Sequence, residues 1–134
     1  MPTWVIERVL ARGRRPGYTG ERGKPVPQSE VDAWLTEVKA FGIRSIISLL
    51  GPDQLQLYDQ LPTDLVSYYR QAGFEVEHIP ILDHQHPAVS QEDLAKVWAV
   101  YVKLWKPVLV HCSAGIDRTG MAVEHIRHKL ATRS

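Results

Sequence analysis

The residues 111–120, HCSAGIDRTG, set the only cysteine of the chain between a histidine and a Ser-Ala-Gly turn, with Arg118 six positions on. A buried structural cysteine needs none of that company. A chain that leaves a strand, turns through Ser113, Ala114, Gly115, Ile116 and Asp117 and enters a helix near Arg118 makes a concave loop. Its backbone N–H groups point at one centre, and the helix that follows adds free N–H donors and the positive end of its dipole. This is a cradle for phosphate or another tetrahedral oxyanion. Gly115 allows the tight curvature, and Arg118 forks two hydrogen bonds onto phosphate oxygens. The same field favours the ionised form of Cys112. A thiolate at the bottom of an anion pocket is placed to attack phosphorus in line. Thr119 has a hydroxyl to donate to the sulfur, which stabilises the thiolate and later helps it leave. His111 is expected to order the loop through hydrogen bonds rather than to take the proton.

These residues need elements to carry them. A strand is expected over 4–10, followed by a Gly/Pro/Arg loop over 11–28. Ser29 then caps a helix with Val31, Trp34, Leu35, Val38 and Phe41 on one stripe, and Gly42 ends it. IRSIISLL (43–50) and PVLVHC (107–112) are near-continuous apolar runs, as expected of strands buried on both faces. FEVEHIPI (74–81) alternates and reads as a strand. Thr63 is expected to cap a short helix ending at Gly73, and Ser90 a helix whose stripe runs through Leu94, Val97, Trp98, Tyr101, Leu104 and Trp105. The last helix is expected from Arg118 to about Leu130. Strands alternating with helices predict an α/β fold: a single, mostly parallel central sheet flanked by helices on both faces. Ligands sit at the C-terminal strand ends of such sheets, where HCSAGIDRTG lies.

The 134 residues fit one domain, 1–134, with 44% apolar and 23% charged residues. A net charge of +1 supplies no bulk field to attract nucleic acid or an anionic membrane. No apolar run approaches a membrane span, and the N-terminus does not read as a signal peptide. A lone cysteine excludes an internal disulfide and suits the reducing cytoplasm. Its reversible oxidation products are then sulfenic acid or a sulfenamide with the next backbone nitrogen.

HCSAGIDRTG resembles the signature of the cysteine-based protein tyrosine phosphatases: His-Cys, five residues, Arg, then Ser or Thr. IRSIISLL, EVEHIPILD and PVLVHC resemble the compact dual-specificity branch, and the resemblance spans roughly residues 4–130. It implies hydrolysis of phosphotyrosine, with phosphoserine and phosphothreonine as further targets, in a phosphorylated protein or peptide. It also implies a phosphocysteine intermediate and neither cofactor nor metal. A general acid is implied on a separate loop, and Asp83, 29 residues before Cys112, sits where that branch carries it. Asp117 competes for the role, since some lipid-directed branches, the myotubularin-like phosphatases among them, carry an aspartate there. Asp83 is favoured as acid and Asp117 as a tuning residue.

Two other functions stand beside this one. A phosphoinositide or inositol-phosphate phosphatase is favoured by the Arg12, Arg14, Arg15 cluster and opposed by the absence of lysine from the loop and by Asp117. A phosphate-reading module without turnover is opposed by the presence of nucleophile, arginine, hydroxyl and candidate acid together. The arginine cluster reads as a solvated loop or as a rim that attracts charged substrate. His84 and His86 read as solvated or pocket-rim residues, being a weak metal signal, and Trp34, Trp98 and Trp105 as core. Only 16 residues follow Arg118, so the fold is expected to be truncated after one helix, where dual-specificity domains carry one or two more. A second copy of the chain, in a homodimer, is expected to shield the face left uncovered.

Overall fold

A computed structural model describes residues 2–20 and 23–133. Its elements are β1 (Thr3–Ile6), β2 (Leu10–Gly13), α1 (Gln28–Ala40), β3 (Ser45–Ser48), α2 (Pro52–Leu55), a 3₁₀ turn (Gln56–Tyr58), α3 (Leu65–Gln71), β4 (Glu75–His78), α4 (Gln91–Lys103), β5 (Val108–His111) and α5 (Asp117–Thr132). The strand order is β1-β2-β5-β3-β4. β2, β5, β3 and β4 run parallel, and β1 pairs antiparallel with β2 at the edge.

Alternating strand residues divide the interior into two layers, because successive side chains leave a strand on opposite faces. Leu10, Ile47, Val108 and Val110 pack with Leu94, Val97 and Tyr101 of α4 and Ala122, Val123 and Ile126 of α5. Ala11, Ile46, Leu109 and Val76 pack with Val31, Leu35 and Val38 of α1 and Leu65 and Tyr69 of α3. Each fully buried aliphatic side chain is worth about 1.5–3 kcal/mol. A one-residue slip of β5 would exchange these faces, so register is strongly held next to Cys112.

The expected strand over 4–10 is instead a hairpin. The chain turns at Glu7–Val9, with Arg8 at φ 62, and Val9 N–H bonds Ile6 O at 2.9 Å. Leu10 and Ala11, fully buried, carry β2 into the stretch expected to be loop, and pair it with β5. Glu21 and Arg22 of that stretch lie outside the described residues. Two helix starts also differ. Pro27, in extended conformation, precedes α1, which puts Ser29 inside the first turn. Asp64 rather than Thr63 caps α3, accepting from Ser67 N. Ser90 caps α4, accepting from Asp93 N. Trp105, expected in the core, is 56% exposed because α4 stops at Lys103. Among the described residues no helix is long and apolar enough to cross a membrane.

The consequence for function lies at one edge of the sheet. Each of the parallel strands β2, β3, β4 and β5 delivers its following segment to the same C-terminal end.

Candidate active site

The segment after β5 is held from behind by β2 and the segment that follows it. Arg12 Nη2 donates to Gly115 O at 2.9 Å and Ile116 O at 3.2 Å. Arg15 N–H donates to Ser113 O at 2.9 Å, and Arg15 Nε to Ser113 Oγ at 3.0 Å. With these carbonyls turned toward β2, planar trans peptides point the N–H groups of Ala114, Ile116 and Asp117 the opposite way. Gly115 has φ +78°, and a Cβ there would lie 2.5 Å from Gly13 O. Only glycine combines that conformation with that close approach. The three arginines expected to act together have separate positions: Arg12 braces the loop, Arg15 is buried against it, and Arg14 is exposed.

His111 is fully buried. Its Nδ1 lies 3.0 Å from Cys112 O and its Nε2 3.0 Å from Tyr69 Oη. A carbonyl only accepts, so Nδ1 carries the proton and Tyr69 donates to Nε2. Trp34 stacks on Tyr69, with ring centroids 5.3 Å apart, and its edge-on neighbour is His111 at 5.5 Å. Trp34 therefore does more than fill core, since its Nε1 also donates to Arg14 O at 3.0 Å.

Burial pushes the pKa of His111 from 6.5 down to about 4, with the Cys112 carbonyl opposing and Arg118, His78 and Arg15 adding to the fall. This sets the sign of a pH effect. Below pH 6.5 the unfolded chain takes up a proton that the folded chain refuses until about pH 4. Stability is thus full above that window and declines through it, by about 3 kcal/mol in total. Urea midpoints measured across the window are expected to fall with pH, and His111→Gln to flatten the fall. An equally steep decline in His111→Gln would remove His111 as the cause.

Arg118 is 2% exposed and clamped on one side. Its Nη1 donates to Ile81 O at 2.8 Å, Gln54 Oε1 at 3.1 Å and Leu49 O at 3.2 Å. Its Nη2 faces Asp83 Oδ2 at 3.5 Å, while the buried Nε has no hydrogen-bond partner among the described residues. A buried charged donor left unpaired is costly, and an anion in the adjoining cavity would satisfy it. Asp83 is partly buried. Its Oδ1 accepts from His84 N at 3.0 Å, and its Oδ2 lies 3.7 Å from His84 Nε2.

An open cavity of about 620 Å³ brings the predicted residues together. Cys112, Ser113, Ala114, Asp117, Arg118 and Asp83 all border it. His111, Gly115 and Thr119 lie buried behind it, and Ile116 is 64% exposed. The expected bond from Thr119 to the sulfur is not formed, as Thr119 Oγ1 has no hydrogen-bond partner among the described residues. Asp117 is exposed in the first turn of α5, where the helix dipole favours a carboxylate. Among the described contacts it has neither hydrogen bond nor ion pair. His84 and His86 border a second, smaller cavity with Asp83 and Asp117. Among the described residues no group of His, Cys, Asp and Glu is arranged to hold a metal ion.

Several further residues border this cavity, Arg15 and Gln54 among them. Arg15 carried a sequence signal as part of a cluster that read as solvated loop or rim, but its burial did not show. Gln54, in α2, carried none.

Comparison with known proteins agrees with this architecture. A family model described as "Polymorphic toxin system, DSP-PTPase phosphatase" matches residues 23–128. Among solved structures, Tk-PTP in a glycine-to-alanine mutant form is 22% identical, with 99% of this chain and 73% of that chain covered and a TM-score of 0.65. A candidate phosphatase (DUF442) from Shewanella putrefaciens CN-32 is 19% identical over 97% of this chain and 69% of that one, with a TM-score of 0.64. Kinase associated phosphatase, its catalytic-site cysteine replaced by serine, is 19% identical over 93% and 68%, with a TM-score of 0.68. At these identities the likeness is one of fold. No curated protein matches the sequence.

Proposed function

This chain belongs to the DSP-PTPase phosphatases of polymorphic toxin systems, and we propose that it hydrolyses phosphomonoesters of proteins, phosphotyrosine foremost, through a phosphocysteine intermediate. The observation that carries this reading is the buried Arg118 with its unpartnered Nε, bordering one cavity with the Cys112 thiol and the Asp83 carboxyl.

The chemistry follows from those positions. The phosphate enters with its equatorial oxygens on the loop amides from Ser113 to Arg118 and on the Arg118 guanidinium. Cys112 attacks as the thiolate, forming S–P while the P–O bond to the leaving group breaks. Asp83 gives its proton to the departing oxygen. Water then attacks the cysteinyl-phosphate, Asp83 takes the water proton, the S–P bond breaks and phosphate leaves. The amides and Arg118 stabilise the charge spread over the transferred group at both steps. A lone thiol nucleophile must stay reduced, which favours a reducing compartment such as the cytoplasm.

The walls bear on the substrate. Arg15, 3% exposed, is a second guanidinium bordering the cavity, which favours an inositol phosphate with several anionic groups. Asp53, Asp59, Asp83 and Asp117 border the same cavity and repel such a headgroup. A single phosphate on a peptide meets the basic floor without crowding these carboxylates. Assays on a phosphopeptide panel and on soluble phosphoinositides, with chelator present, are expected to favour phosphotyrosyl peptides by about tenfold or more in kcat/KM, a difference of about 1.4 kcal/mol. A marked preference for the inositol substrates would replace this reading. Absence of turnover on para-nitrophenyl phosphate at any mildly acidic to neutral pH would leave only a binding module.

A further inference from the structure

One amide touches both the anion clamp and the acid. Gln54 is 8% exposed at the end of β3, in α2. Its Oε1 accepts from Gly51 N–H at 3.2 Å and from Arg118 Nη1 at 3.1 Å. These two donors fix the orientation of the amide, because a flip would set its NH₂ against both of them. Nε2 is thereby committed to Asp83 Oδ2, at 3.4 Å.

From this geometry we infer that Gln54 is a positioning residue, holding the Asp83 carboxyl in register with the Arg118 guanidinium. The inference rests on the proposed roles of Asp83 and Arg118. The two ends of the link are not equal. Without Gln54, Arg118 Nη1 keeps Leu49 O and Ile81 O as acceptors. Asp83 Oδ2 keeps only the longer approaches of Arg118 Nη2 and His84 Nε2, at 3.5 and 3.7 Å. Loss of Gln54 therefore falls on proton delivery to the leaving group and spares anion binding. The link crosses from the segment after β3 to the segment after β4, two strands that pair directly. It gives the acid a fixed seat on an otherwise exposed loop.

The test uses the leaving group as the probe. Gln54→Leu removes both functions of the amide, and Gln54→Glu keeps an acceptor for Gly51 and Arg118 but has no donor for Asp83. The full chain is assayed on phenyl phosphate, whose leaving group needs a proton, and on dinitrophenyl phosphate, whose leaving group does not. Inorganic phosphate is measured as a competitive inhibitor, and thermal unfolding verifies the fold. Both variants are expected to lose about tenfold or more in kcat on phenyl phosphate, and Gln54→Leu, which adds no charge beside Arg118, less than about twofold on dinitrophenyl phosphate. For Gln54→Leu the inhibition constant for phosphate is expected to stay within about threefold. In Gln54→Leu, equal losses on both esters or a loss of phosphate affinity as large as the loss of rate would overturn the inference, as would no loss in either variant. Asp83→Asn, assayed alongside, separates the two levels. If it discriminates between the esters and the Gln54 variants do not, only the inference falls. If Asp83→Asn itself fails to discriminate, the acid assignment falls and the inference with it.

Discussion

Cys112→Ser is expected to bind inorganic phosphate within about threefold of the wild type and to turn over para-nitrophenyl phosphate at least about 10⁴-fold more slowly. The two halves of this result come from different atoms. Serine supplies a hydroxyl, a far weaker nucleophile than a thiol, so the attacking group is lost. The anion-binding parts do not depend on the sulfur. Arg118 is held by Leu49 O, Gln54 Oε1 and Ile81 O. Arg12 and Arg15 hold the loop through Gly115, Ile116 and Ser113. His111 bonds the Cys112 carbonyl, which serine retains. Calorimetric titration with phosphate and a steady-state assay on one preparation measure both halves. Turnover within tenfold of wild type would sink the nucleophile assignment, and lost phosphate binding would sink the separation of cradle from thiol.

The second large effect decides between two carboxylates that border the same cavity. Asp83→Asn is expected to lower kcat on a poor leaving group by about 10²–10³-fold and to flatten the dependence of rate on pH. Asp117→Asn is expected to stay within about fivefold. The difference in setting is the reason. Asp83 Oδ2 is fixed among Arg118 Nη2, Gln54 Nε2 and His84 Nε2. Asp117 is exposed, and among the described residues no contact fixes its carboxyl over the cavity. Rate profiles of the two variants on the same ester suffice. A large loss in Asp117→Asn with Asp83→Asn near wild type would reverse the assignment.

Much of the site was legible because the loop chemistry is local in sequence. Cys112, Gly115 and Arg118 lie within one turn, so their spacing alone implied the cradle. The buried runs of β3 and β5 announced a parallel sheet, and with it the edge where the site lies. The hairpin escaped because β2 is only four residues, LARG, and its arginine and glycine look like loop. What places them in a strand is pairing with β5, nearly a hundred positions on. Arg15 looked solvated for the same reason, since its partners Ser113 and Tyr58 arrive from elsewhere in the chain. Gln54 had no signal, because its role exists only once the segments after β3 and β4 lie side by side. Periodicity revealed the buried stripe of α1 but not that Trp34 reaches His111.

The arginine braces have one more consequence, and it concerns the order of assembly. Arg12 and Gly115 are 103 positions apart, Arg15 and Ser113 98, and Gln54 and Arg118 64. Contacts of such long separation carry a larger loop-closure cost than those within a helix or a hairpin. The phosphate cradle is thus expected among the last features to take shape as the chain folds. A chain with only α1, β3 and α3 packed would have a thiol but no oxyanion site. Recovery of catalysis on refolding then tracks completion of the whole sheet, and lags any spectroscopic signal that reports only helix formation.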